Sequence, residues 1–157
     1  MKSALPWPRG YFAIGVEGIS KPVNLGNLLR SAHSFGASFV FTIGADPRAL
    51  EMRSDTSRAE THVPLYHYLP SSPCPRGRSL VGIEMLEEAA DLPSFPHPLR
   101  AAYVLGPERG ALTRRSLPLV ASISCASPPP SHSMSRPPAQ SSCTTECVLS
   151  AASAPAR

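Results

Sequence analysis

Residues 11–44, YFAIGVEGISKPVNLGNLLRSAHSFGASFVFTIG, decide the fold. Tyr11 to Val16 is a short apolar run rich in strand formers, and Glu17-Gly18 ends it; this predicts a buried strand. Lys21-Pro22 then turns the chain, and Asn24 has the side chain of a helix N-cap. Leu25, Leu28, Leu29 and Ala32 follow at helical spacing, and Gly36 is placed to stop the helix in a left-handed conformation. Residues 38–43, SFVFTI, predict a second buried strand, closed by Gly44. Strand, helix and strand within about thirty residues form a βαβ unit, because parallel strands need a crossover of that size. The predicted class is therefore α/β, a parallel sheet flanked by helices.

Downstream, Asp46 to Thr61 is polar and carries no clean period, which predicts a loop with at most one helical turn. Val63 to Leu69 reads as a short strand and Leu80 to Met85 as the next buried one. Glu87 to Leu92, followed by Pro93, Pro96 and Pro98, reads as a helical turn entering a constrained loop. Ala101 to Leu105 is another strand, and GPERG at 106–110 follows it at once. Ala111 to Val120 resembles a helix start with Thr113 as its cap, interrupted by Pro118. Beyond Val120 the composition changes to Ser, Pro and Ala, with Arg136, Glu146 and Arg157 the charged residues. Such a segment buries too little apolar area to offset its chain entropy, so disorder is expected there. The chain divides into an extension (1–10), one domain (11–121) and a tail (122–157).

Bulk properties agree with one domain: 157 residues build a single core. The 19 prolines concentrate at the N-terminus, between Pro64 and Pro98, and after Ser127. A formal charge of +4 and a pI near 9.1 suit an anionic partner such as RNA. No apolar run of about 18 residues is present, and the first ten residues lack the apolar core of a secretory signal; the expected location is cytoplasmic. Of four cysteines, Cys125, Cys143 and Cys147 lie in the tail and Cys74 in a Pro-rich loop, with no His or second Cys pair to complete a zinc site. No metal is expected.

Two constellations carry chemistry. The first is Asn24-x-Gly26-x-x-x-Arg30, opening the first helix. An Arg there can reach a phosphate as a bidentate donor, and a glycine in the first turn admits a nucleotide or backbone closely. The second is Leu105-Gly106-Pro107-Glu108-Arg109-Gly110 after a buried strand, where ligands of parallel sheets bind. Its glycines expose backbone N–H groups, and Glu108 adds a carboxylate. Bare readings compete with both: a capped helix with a solvated Arg, and a tight turn with a surface Glu-Arg pair.

In this order and at this separation the two constellations resemble the SpoU family of RNA methyltransferases, which carries N-x-G-x-x-x-R after its first strand and L-G-P-E-x-x-G after a later one. The resemblance spans roughly Tyr11 to Val120 and includes Glu17-Gly18, Ala32, Phe35-Gly36-Ala37 and Ile43-Gly44. It implies a SPOUT-class, trefoil-knotted α/β fold, a homodimer, and S-adenosylmethionine-dependent methylation of a ribose 2'-OH in tRNA or rRNA. It also implies catalytic roles for Arg30, Asn24 and Glu108. Cofactor contacts fall to Ile83, Glu84, Leu105, Gly106 and Gly110, and RNA contacts to Arg30 and Arg109.

The resemblance fails at the C-terminus. A third motif should read I-P-x and then S-L-N-V before an apolar helix, yet residues 123–138 read ISCASPPPSHSMSRPP. The genetic code offers an account. Read two nucleotides further along, permitted codons for 121–146 yield RIDIVRIPTAFSLNVAAAGAIVMYDR, a complete third motif; the sole Met codon at Met134 there permits Asn then Val. As it stands, the tail predicts an incomplete knot, a weakened cofactor pocket and dimer interface, and little or no methyl transfer. The alternative function is a non-catalytic RNA-binding remnant of the same fold. A dinucleotide-binding or P-loop domain is disfavoured, since neither glycine motif follows any strand. His33, His62, His67 and Trp7 read as packing or surface residues, and Arg48, Arg53 and Arg58 with Asp46, Glu51 and Asp55 as a solvated loop face.

Overall fold

The computed structural model describes residues 11–51, 62–72, 77, 79–84, 90–91, 95–107, 110–113 and 123–124. Their strands are β1 (Tyr11–Glu17), β2 (Phe39–Ile43), β3 (Leu65–Tyr68), β4 (Ser79–Ile83), β5 (Ala90–Asp91), β6 (Arg100–Leu105) and β7 (Ile123–Ser124). Helices α1 (Pro22–Ser34) and α2 (Pro47–Leu50) lie between β1 and β3. The sheet order is β3-β2-β1-β6-β4-β7-β5, and every pairing is parallel. The predicted βαβ unit is there, with Gly15 opposite Phe41 in the β1–β2 register.

Alternation along the strands divides the core into two layers. Phe12, Ile14 and Val16 of β1 join Val40, Val81, Ile83, Ala101, Tyr103 and Leu105 on the face that α1 covers. The helix contributes Leu25, Leu28, Leu29 and Ala32, the residues its period singled out. Burying each leucine is worth about 1.5–3 kcal/mol, which fixes α1 on the sheet more firmly than helix propensity could. The opposite face carries Ala13, Phe39, Phe41, Ile43, Leu80, Ala102 and Val104. There Ala13, Gly15 and Ala102 on the central strands leave room for the β2 aromatics. The Phe41 ring packs edge-on against Tyr68, and Phe39 edge-on against Tyr66.

Three local expectations require correction. Asn24 is not the N-cap of α1: Lys21 is, and Asn24 is the third helical residue, its N–H donating to the Lys21 carbonyl at 3.1 Å. The reason is Pro22, which has a helical φ preset and no N–H to satisfy, and so starts the helix three residues early. Ala90–Asp91 pairs with β7 as a strand, where a helical turn was expected. Ile123–Ser124 enters the sheet, Ile123 pairing with Ile83, inside a segment expected to lack structure. The remainder of 122–157, and with it the state of the knot, falls outside the described residues.

The other end of α1 follows the prediction. Gly36 has φ 72°, and Phe35, Gly36 and Ala37 donate their N–H groups to Ser31, His33 and Ala32. The loop from Asp46 holds the single turn of α2; the Asp46 side chain accepts the Arg48 N–H and its carbonyl the Ala49 N–H. No helix among the described residues is long and apolar enough to cross a membrane.

Candidate active site

Because every strand is parallel, all carboxyl ends reach one edge of the sheet. From β1 the chain winds to β2 and β3 on one side, then returns to β4 and β6 on the other. The order therefore reverses at β1 and β6, and the crevice outside their carboxyl ends is where ligands of open α/β sheets bind. Glu17-Gly18 and Gly106-Pro107 occupy that crevice.

A chain of contacts ties the loops along this edge. Gly18 N–H donates to the Ile43 carbonyl at 2.8 Å, Asp46 N–H to Ile19 at 2.9 Å, and Gly44 N–H to Tyr68 at 2.9 Å. On the other side Gly18, at φ 60°, abuts the β6 turn so closely that a Cβ there would stand 3.2 Å from Pro107 Cβ. Thr113 N–H donates to Glu17 Oε2 and Leu112 N–H to Glu84 Oε2, each at 3.0 Å. The loop that leads from β1 into α1 is thus in direct contact with the segment that follows β6.

Asn24 lies in the first turn of α1, beside this edge. Arg30 is six residues on, about 9 Å further along the axis, but helical side chains lean toward the N-terminus. Its guanidinium accordingly donates to the Asn27 side-chain oxygen, one turn back toward the edge. Asn27 escaped the sequence reading, which treated it as a spacer; its i,i+3 relation to both Asn24 and Arg30 was the available signal. Arg30 is exposed, as an anion-binding group must be.

Ile83 and Leu105 are only 2% and 1% exposed, with side chains in the core layer under α1. They can offer a cofactor main-chain atoms alone. Gly106 is buried and Gly110 has φ 100°, a conformation that side chains strain to adopt. Glu84 is half-buried and its carboxylate accepts from Leu112. Gly106 and Gly110 have no side chain and can offer a ligand only main-chain groups. Glu108 and Arg109 lie outside the described residues.

Elsewhere the electrostatics are local. The Arg48 side chain, hydrogen-bonding to Asp46, holds that carboxyl down at about 2, and the pair forms a 2.7 Å salt bridge. Burial pushes the Tyr103 phenol up; its OH meets His97 Nδ1 at 2.7 Å. His33 and His62 stack on each other, 4.9 Å apart. Among the described residues no group of three His, Cys, Asp or Glu is placed to hold a metal.

These features define a parallel α/β protein with a candidate ligand site at its topological switch point, beside the arginine-bearing helix α1 and the glycine that follows β6. Solved structures narrow the class. The chain has the fold of the SpoU/TrmH-type RNA methyltransferases. It aligns with the A. aeolicus TrmH/SpoU tRNA modifying enzyme at a TM-score of 0.70 and 13% identity, over 92% of this chain and 75% of that one. A structure describing 2-OH methylation of C/U34 on tRNA aligns at 0.69 and 20% identity, over 91% and 89% of the two chains. The AdoMet-bound rRNA methyltransferase from Sinorhizobium meliloti aligns at 0.65 and 20% identity over 92% of this chain, which spans only 56% of that enzyme's length. No family model and no curated protein matches the sequence.

Proposed function

We propose that this fold and site serve the S-adenosylmethionine-dependent methylation of a ribose 2'-OH in tRNA or rRNA. The observation that carries the reading is the meeting of the Glu17-Gly18 and Gly106-Pro107 loops at the switch point, with the first turns of α1 alongside. A bound S-adenosylmethionine would supply the electrophilic methyl group. Gly106 and Gly110, with the strand ends at Ile83, Glu84 and Leu105, would line its site through main-chain atoms.

A ribose hydroxyl is a poor nucleophile, so the protein must favour the developing alkoxide. Arg30 is the residue suited to do so. It binds an RNA phosphate and sets a positive charge beside the hydroxyl, while its contact with Asn27 limits the positions the guanidinium can take. Asn24 and Glu108 complete the polar surround, and Arg109 joins Arg30 in holding the RNA backbone. The working form is a cytoplasmic homodimer.

Residues 121–157 as they stand carry no third motif, so this chain itself is expected to transfer little or no methyl. The reread RIDIVRIPTAFSLNVAAAGAIVMYDR at 121–146 restores that motif. The missing motif also favours a second reading, an RNA-binding remnant without chemistry. Incubation with bulk RNA and tritium-labelled S-adenosylmethionine separates the two. Incorporation above background supports the enzyme, whereas salt-sensitive RNA binding without incorporation supports the remnant.

A further inference from the structure

Glu17 closes β1 and Glu84 follows β4, the two strands that flank β6 on either side. Both reach past the end of β6 to the same short segment beyond its glycine turn. Glu84 Oε2 takes the N–H of Leu112 and Glu17 Oε2 the N–H of Thr113, each at 3.0 Å, across sequence separations of 28 and 96 residues. Leu112 also packs its side chain against the core layer opposite α1. Successive N–H groups of this segment are therefore captured from opposite sides, by carboxylates mounted on rigid strands.

We propose that Glu17 and Glu84 are positioning residues, a two-armed brace that fixes the Gly110–Thr113 segment beyond β6 and so anchors the downstream end of its turn. The inference rests on the proposed function only in giving that turn a purpose. Gly110, at φ 100° with no described atom within 4 Å of where its Cβ would be, does not hold the turn by packing. The brace does so from downstream. A carboxylate accepts more strongly than a neutral group, and the strand ends carrying the two carboxylates are themselves locked by pairing with β6.

The test is amide hydrogen exchange by NMR on the full chain, without cofactor or RNA, comparing Glu17→Ala, Glu84→Ala, Glu17→Gln and Glu84→Gln with the unsubstituted protein. Glu84→Ala should speed exchange at Leu112 about tenfold, the loss expected for one charge-assisted bond, and Glu17→Ala should speed it at Thr113 by a smaller factor because that pair is exposed. Each effect should stay on its own amide and its neighbour toward Gly110, leaving the β1 and β6 amides unchanged. The Gln variants keep an acceptor oxygen without the charge and should restore part of the protection. Equal exchange at Leu112 and Thr113 in all five proteins, or Gln behaving as Ala, overturns the brace. Neither result touches the methyl-transfer reading, whose own failure would leave this exchange pattern standing.

Discussion

Replacing Gly15 by alanine should destabilise the whole domain, because the fold uses the missing side chain as space for an aromatic ring. Gly15 is central in β1 and faces Phe41 across the parallel register. A Cβ there would stand 2.3 Å from Phe41 Cε2 and Cζ and 2.6 Å from Cδ2. Carbon atoms in contact prefer about 3.5–4.0 Å, so the ring must withdraw by more than 1 Å, roughly, on that measure. It has nowhere to go: Phe41 is fully buried, with Tyr68 edge-on to one side and Phe39 to the other. Overpacking costs about 1–3 kcal/mol, and a sealed ring on a central strand puts this substitution near 3 kcal/mol, or about 6–12 °C in Tm. Phe41→Leu alone should cost about 1 kcal/mol for the lost ring contacts. Together the two should cost less than Gly15→Ala by itself, giving a coupling of more than about 1 kcal/mol. Urea denaturation followed by circular dichroism measures all three. An unchanged midpoint for Gly15→Ala, or strict additivity in the double variant, would refute the packing argument.

Gly18→Ala tests the approach of the two loops: a left-handed φ of 60° and a 3.2 Å contact with Pro107 should together lower stability by about 1–2 kcal/mol, read from thermal melts. Asp46 should titrate near 2 by NMR, against an ordinary 3.8, and move upward in Arg48→Ala. Its pKa is depressed by folding, so whatever stability it adds is present above the ordinary value and fades as pH falls from there through about 2; Asp46→Asn should abolish that dependence. Arg30→Ala should weaken RNA binding evenly across sequences and reduce the slope of log affinity against log salt by about one unit; an unchanged slope would remove Arg30 from the phosphate contact.

Most of the sheet could be read from the chain because β1, β2, β4 and β6 are short apolar runs, and Gly36 takes the positive φ its position suggested. The helix was visible through Leu25, Leu28, Leu29 and Ala32, yet its start was misplaced because the signal of a polar cap at Asn24 competed with that of Pro22, and proline prevailed. Ala90–Asp91 was misread since two residues carry no period, and only a distant strand makes them one. The site was legible as two motifs but not as a joined structure. That Gly18 touches Pro107, or that Glu17 holds Thr113, depends on sheet order, which no local pattern encodes. Glu17 in particular looked like the residue that merely stops a strand.

Methyl transfer itself is the direct test. The chain should be compared with one carrying RIDIVRIPTAFSLNVAAAGAIVMYDR at positions 121–146, each with and without Arg30→Ala, using labelled S-adenosylmethionine and unmodified tRNA and rRNA. Label in alkali-resistant dinucleotides marks a methylated 2'-OH. Such label is expected from the reread chain, with its loss in Arg30→Ala and background levels from the chain as it stands. No label from the reread chain, or label indifferent to Arg30, would contradict a methyl-transfer site at this edge of the sheet.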